Sequence, residues 1–246
     1  MERGITFGDR ELQQLFDSLK FEDNDTPYVS HLERYANGHL LDVSDPSNEL
    51  NKRIALGCGV GLTEQDMGHF VNFSDRVNRL TERANEVNCA LLIDAEQTYM
   101  QAAIDSFAQQ LAHKYNRGTK HIVLNTYQCY LKKQPMIIDL ELQAVQKLGC
   151  NLGIKLVRGC YMVEERKIAT ELGYESPVWE TIEDTHKSYN SCAEKIIDQV
   201  GEHGLLFMGS HNAQTLSLVK DLVNKKGQAF KDQHRVKVGQ LKGFSD

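Results

Sequence analysis

Apolar residues in the larger C-terminal part of the chain occur in short runs that alternate with longer stretches of helical periodicity. The predicted strands cover residues 90–94, 122–125, 154–157, 205–208 and 236–241. The predicted helices cover residues 63–88, 97–115, 138–148, 163–172 and 214–224, with a further helix in an insertion over residues 173–200. Strand starts about thirty residues apart, each followed by a helix, are typical of parallel β/α units joined by right-handed crossovers.

Two folds have this alternation, a (β/α)8 barrel and a doubly wound open sheet. No G-x-G-x-x-G motif follows a predicted strand, which disfavours a dinucleotide-binding sheet. Polar residues cluster at the carboxyl ends of the strands: Asp94, Gln128, Arg158, Tyr161, Ser210, His211, Asn212 and Gln240. Because several strands of a barrel contribute to one mouth, the sequence predicts an incomplete (β/α)8 barrel over residues 51–246, with about five strands visible. Residues 1–50 are predicted to form an irregular N-terminal segment.

Lys155 lies inside the third apolar run, where a central strand of a parallel sheet would be apolar on both faces. A buried and unpaired ammonium costs several kcal/mol, so one interpretation is a bound anionic or electron-rich ligand. The other is a lysine on an edge strand whose ammonium reaches solvent. Both interpretations are open at this point.

Composition narrows the function classes. The net charge of −6, without a cluster of basic residues, argues against nucleic acid as a partner. No apolar run is long enough for a membrane-spanning helix. The six cysteines have neither C-x-x-C nor zinc-ligand spacing, which fits a reducing compartment and predicts no metal site. The first residues show neither a signal peptide nor a transit pattern.

The polar residues at the strand ends have ordinary structural explanations when taken singly. Asp94 could cap a helix, and His211 could be a structural histidine. Gln128 and Asn212 could bond loop backbone. Together, however, they bring a cation, a carboxylate, two amides, a histidine and an aromatic ring to one mouth. This set favours binding of a flat polar cofactor over nucleophilic or metal-assisted hydrolysis.

Six short segments carry a specific resemblance to a known family. They are Ile93–Tyr99, Asn125–Leu131, Lys155–Tyr161, Gly173–Pro177, Ser210–Asn212 and Gly239–Leu241. In order and spacing they resemble the proline dehydrogenase (proline oxidase) family, and its eukaryotic mitochondrial branch in particular, over residues 55–246. The resemblance implies a (β/α)8 barrel that binds FAD, with the visible strands corresponding to the third to the seventh.

The resemblance also implies roles for individual residues. Lys155 would lie near the reactive edge of the flavin, and Gln128 would hydrogen-bond the isoalloxazine ring. Asp94, Tyr161 and Leu241 would form the substrate site, and the catalytic residues would be Lys155, Asp94 and Tyr161. The other implied cofactor-binding residues are Val157, Gly159, Cys160, Met162, Ser210, His211 and Asn212.

The implied reaction is hydride transfer from the carbon next to the amine nitrogen of L-proline to flavin N5. It yields pyrroline-5-carboxylate, and the electrons pass to a quinone. By the same resemblance, the protein would be mitochondrial, on the matrix side of the inner membrane, with peripheral membrane association.

The chain also departs from the family pattern. In the family, two arginines on the last barrel helix and a lysine on the second strand hold the substrate carboxylate. No match to these elements is visible, so we expect a barrel truncated at both ends that does not by itself oxidise proline at a useful rate. Three functions stay open: proline dehydrogenase, hydroxyproline dehydrogenase, and a catalytically silent truncated paralogue that acts through protein association.

Overall fold

The computed structural model describes residues 64–199 and 204–243. Its elements are α1 (Glu64–Glu86), β1 (Leu91–Ile93), α2 (Thr98–Tyr115), β2 (Val123–Gln128), α3 (Gln134–Leu148), β3 (Leu152–Val157), α4 (Met162–Leu172), α5 (Ile182–Gln199), β4 (Gly204–Gly209), α6 (Ala213–Lys225), α7 (Gln228–Asp232) and β5 (Val236–Gly239). The predicted irregular segment 1–50 lies outside the described residues and stays a prediction.

In the described ranges the five strands form one sheet, parallel throughout, whose order follows the sequence. The register pairs Thr126 with Lys155, and Lys155 with Phe207, so these side chains lie on the same face. The predicted parallel β/α units are therefore confirmed. Because β3 is the central strand, the interpretation of Lys155 as an edge-strand lysine is wrong.

One face of the sheet packs against the helices, and the core of the molecule lies there. Ile154, Leu156, Leu206 and Met208 are fully buried on this face, together with Tyr189 of α5. The alternate residues of the same strands are only partly buried and form the opposite, concave face. A curled sheet with helices on its outer face is the arrangement of a partial β/α barrel, which confirms the predicted fold class.

Core packing is completed by a satisfied polar group. The hydroxyl of Tyr189 donates a hydrogen bond to the Leu156 carbonyl oxygen at 3.1 Å. Burial of each aliphatic core side chain contributes about 1.5–3 kcal/mol, so this outer face supplies much of the folding free energy. In the ranges 64–199 and 204–243, none of the helices has the combined length and apolarity that crossing a bilayer requires.

Where helix bounds were predicted, the structure agrees with them to within about two residues, with one exception, and the short helix α7 was not predicted. Helix α3 begins at Gln134, whereas the apolar pattern predicted a start at Ile138. The prediction was wrong because Pro135, in the first turn, needs no backbone N–H partner and already has a helical φ. Among the strands, β2 continues to Gln128, and β5 ends at Gly239.

Candidate active site

Lys155 projects from the concave face of β3, and its ammonium forms an ion pair with Asp94, which follows β1. The side chain of Lys155 is 20% exposed, and that of Asp94 is 76% exposed. A carboxylate of the chain, rather than a ligand, thus compensates the charge that stands inside the strand. Asp94 does not cap a helix, since the N-cap of α2 is Gln97.

Glu96 connects two strand ends that the sequence had marked. Gln128, at the end of β2, is buried, and its amide nitrogen donates to the Glu96 carbonyl oxygen at 2.7 Å. The hydroxyl of Tyr161 donates to the Glu96 carboxylate, and this hydrogen bond raises the pKa of the phenol. The sequence reasoning did not select Glu96. Its position two residues after Asp94, in one of the family-like segments, was the available signal.

The turn that brings Tyr161 to the mouth requires glycine at position 159. Gly159 has a φ of 126°, and a Cβ atom there would lie within 1.8 Å of two atoms of the Tyr130 ring. The chain therefore passes closely over this ring before α4 begins. Cys160, next in the turn, is exposed, and partial desolvation together with acidic neighbours raises the pKa of its thiol. A nucleophilic role for this cysteine is disfavoured, because the thiolate is the reactive form.

Arg158 organises the other side of the turn. Its Nε donates to His186 Nδ1 at 2.9 Å, Nη1 to Ser210 Oγ at 2.7 Å, and Nη2 to Thr215 Oγ1 at 2.9 Å. The guanidinium also lies 4.4 Å from the centroid of the Tyr189 ring. Within the described part of the chain, no carboxylate forms an ion pair with Arg158. Burial lowers the pKa of this arginine, which still remains charged at neutral pH.

The ends of β4 and β5 are joined by hydrogen bonds. Ser210 Oγ accepts from the Asn212 backbone N–H at 3.1 Å, and the Gln240 amide donates to the Ser210 carbonyl at 3.3 Å. His211 Nε2 accepts from the Leu241 backbone N–H at 3.1 Å. The Asn212 side chain caps α6, so the ordinary explanation for this residue holds.

The predicted site residues occupy one end of the sheet to different degrees. Asp94, Lys155 and Tyr161 gather at the ends of β1 to β3 through direct contacts and through Glu96. Leu241 follows β5, at the opposite edge of the sheet, and is 66% exposed. Of the remaining predicted cofactor residues, Ser210 and Gln128 are buried. The others are half-buried or exposed around the ends of β3 and β4: Val157, Gly159, Cys160, Met162, His211 and Asn212.

Comparisons with known proteins agree with this arrangement. A family model described as proline dehydrogenase matches residues 11–246. The chain is 30% identical over 235 residues to a mitochondrial proline dehydrogenase 1 of Caenorhabditis elegans, with 92% of this chain and 37% of the relative covered. It is 34% identical to a hydroxyproline dehydrogenase of Xenopus laevis, with 75% and 40% covered. The chain thus spans well under half the length of these relatives.

The fold is also similar to that of a solved structure. The crystal structure of proline utilization A from Bdellovibrio bacteriovorus, inactivated by N-propargylglycine, superposes with a TM-score of 0.61 at 20% identity. The match covers 69% of this chain and 17% of that one. At this identity the likeness concerns the fold.

Proposed function

Because this chain belongs to the proline dehydrogenase family, we propose that it forms the flavin-binding wall of an enzyme that oxidises L-proline with FAD. The observation that carries the proposal is the Lys155–Asp94 ion pair on the concave face, at the mouth where barrel enzymes place their chemistry. Asp94 compensates the charge of Lys155, but its own side chain is 76% exposed, so the pair is open to a ligand on the concave face.

The donor set fits FAD on chemical grounds. Lys155 supplies a cation on the concave face, and the end of β4 supplies the Ser210 hydroxyl and the N-terminus of α6. Cations and helix N-termini suit the anionic phosphates and the electron-rich ring of a flavin. Lys155 and Gln128 would hold the ring, and residues 157–162 with Ser210, His211 and Asn212 would hold the rest of the cofactor. When bound, FAD supplies the acceptor for a hydride.

The side chains near the flavin ring would orient both the ring and the substrate. Asp94 fixes the direction of the Lys155 ammonium, so the positive charge is in place before the reaction begins. The Gln128 amide is likewise held by the Glu96 carbonyl oxygen. Tyr161, whose raised pKa keeps its phenol neutral, would provide one wall for the pyrrolidine ring, and Leu241 another. The products of the reaction would be pyrroline-5-carboxylate and reduced flavin, with a quinone as the final acceptor.

Hydroxyproline is the second candidate substrate, because one of the matched relatives is named a hydroxyproline dehydrogenase. The names of the relatives also support a proposal for the location of the protein in the cell. The C. elegans relative is named mitochondrial, and we extend this to the present chain, with the matrix side of the inner membrane as the proposed place. Fractionation of mitochondria, with alkaline extraction of peripheral proteins, tests this location.

Flavin titration tests the cofactor site. The chain should quench FAD fluorescence on binding, and Lys155→Ala should weaken the affinity by about 1.5–3 kcal/mol, roughly 10- to 150-fold in Kd. Lys187→Ala is the matched control, because Lys187 also pairs with an aspartate but lies exposed on α5. Equal weakening by both substitutions would contradict the assignment, as would unchanged binding by Lys155→Ala.

Substrate choice is tested on the flavin-loaded chain without oxygen. L-proline and hydroxyproline are added separately, and bleaching of the flavin absorbance is followed in the wild type and in Lys155→Ala. Faster bleaching by proline supports the primary proposal, and faster bleaching by hydroxyproline supports the second. A bound flavin that neither compound reduces is the result expected if this part of the barrel does not by itself oxidise proline, and the same assay on the longer family enzyme then decides between the two substrates.

A further inference from the structure

Glu165 on α4 is a buried carboxylate that the proposed function does not use. The residue is 1% exposed. Because glutamate is almost never fully buried unless it is paired, Glu165 needs partners inside the protein. Its two oxygens accept from Thr98, one from the backbone N–H at 2.6 Å and one from the hydroxyl at 2.7 Å. Both donors belong to the first residue of α2, which lies 67 positions earlier in the sequence.

These contacts replace a helix cap that the local sequence does not provide. The N-cap residue of α2 is Gln97, whose side chain makes no capping hydrogen bond. The first backbone N–H groups of a helix need acceptors, and the helix dipole favours a negative charge at this end. Glu165 meets both needs from a different part of the chain. Charge-assisted hydrogen bonds of this kind are the strong ones.

The same contacts set the distance between two parts of the mouth. The segment that precedes Thr98 carries Asp94 and Glu96, which contact Lys155 and Gln128. On the α4 side, the backbone N–H of Glu165 donates to the carbonyl oxygen of Tyr161 at 2.9 Å, within the first turn of the helix. A carboxylate that binds one segment and belongs to the other therefore holds the two together.

We infer that Glu165 is a positioning residue of the site: by capping α2 through Thr98, it holds Glu96 against the Tyr161 hydroxyl. The inference deepens the proposed function and depends on it for the meaning of the site. Glu165 itself is buried and acts through Glu96 and Tyr161. Without its hydrogen bonds, the start of α2 would lose its connection to α4, while Gln128 and Gln101 would still hold the backbone of Glu96.

The ionisation of Tyr161 reports this contact, because the hydrogen bond to Glu96 raises the pKa of the phenol. The full chain is labelled with 3-fluorotyrosine, and the Tyr161 signal in the ¹⁹F NMR spectrum is assigned by its loss in Tyr161→Phe. Each variant is then titrated with base, without flavin or proline. A substitution that only lowers global stability leaves this pKa unchanged in the folded molecules.

Glu165→Gln should lower the pKa of Tyr161 towards that of free fluorotyrosine. An amide oxygen can accept only one of the two hydrogen bonds, and the amide NH2 would face a donor. Thr98→Val, which removes only the hydroxyl, should give a smaller shift in the same direction. Thr98→Ser keeps both donors and should restore the titration of the wild type.

The adjacent Glu164→Gln is the matched control, since Glu164 is exposed on the same helix turn. A wild-type titration of Tyr161 in folded Glu165→Gln overturns the inference. If that variant does not fold, a wild-type titration in Thr98→Val overturns it. Because no flavin is present, failure of the proposed function in the flavin titration leaves this result standing, and the reverse is also true.

Discussion

Lys155 and Arg158 belong to one segment but lie in different environments. Lys155 is on the concave face of the sheet, where it pairs with Asp94 and remains partly exposed. Arg158, three residues later, is directed towards α5 and α6, where its partners include a histidine, a threonine and the Tyr189 ring. Arg158 follows Val157, the last residue of β3, and its contacts with α5 and α6 place it on the helix-covered side, opposite Lys155.

The difference indicates a division of labour between the two faces. Arg158 joins elements that are far apart in sequence and contributes to stability. Lys155 makes one exposed ion pair, which is worth little for folding, so under the proposed function its role is to offer a positive charge to the flavin. Substitution of Arg158 should therefore lower stability more than flavin binding, and substitution of Lys155 should lower flavin binding more than stability.

The largest expected effect is on stability, from Arg158→Met. This substitution keeps a long side chain but removes three hydrogen bonds from a charged group and the cation–π contact. We expect a loss of about 3 kcal/mol in the free energy of unfolding, or roughly 6–12 °C in Tm. Urea and thermal unfolding measure it. Arg79→Met, at an exposed ion pair of α1, should change stability by less than about 0.5 kcal/mol. Similar losses in both variants would contradict the division of labour.

A smaller effect is expected for the ion pair on the concave face. Lys155→Met, Asp94→Asn and the double variant form a cycle whose coupling free energy should be about 0.5–1 kcal/mol, because Asp94 is well exposed and the pair is screened. Salt should reduce the coupling. A coupling above about 3 kcal/mol in urea unfolding would show that this pair, too, is mainly structural.

The smallest effect is expected on the pKa of Tyr161, at the part of the mouth that carries Asp94 and Glu96. The pKa of Tyr161 is raised above its ordinary value, first by the hydrogen bond to Glu96 and then by desolvation. A raised pKa means that this contact stabilises the fold at all pH values below the ordinary tyrosine pKa of about 10, and that the stabilisation is lost as pH rises through the folded-state pKa. Glu96→Gln should lower the pKa of Tyr161, which is measured from the phenolate absorbance at alkaline pH with Tyr161→Phe as the reference. Ser210→Ala, on the Arg158 side, should leave it unchanged, and a shift in that variant would contradict the separation of the two sides.

Much of the fold could be predicted from the sequence because the signals are local. Apolar runs gave the strands, helical periodicity gave the helices, and the thirty-residue spacing gave the parallel order. The position of Lys155 at the mouth followed from the same pattern. The start of α3 was predicted four residues late, although Pro135 in its first turn marks it.

The partners of the site residues could not be predicted in the same way. The contacts of Arg158 with Ser210 and Thr215 join residues more than fifty positions apart, and Glu165 reaches back to Thr98 across 67. Such contacts depend on how helices and strand ends meet in space, and no periodic pattern encodes them. A single glutamate in a helix reads as solvent-exposed until the fold places it against another helix.

A crystal structure of the chain soaked with FAD tests the central claim most directly, namely that the concave face around Lys155 holds a flavin. The account predicts electron density for the isoalloxazine ring against Lys155 and Gln128, with the phosphates towards the ends of β3 and β4. The Arg158 contacts with Ser210 and Thr215 should be unchanged. Flavin density on the helix-covered face, or an unoccupied mouth at saturating FAD, would contradict the claim.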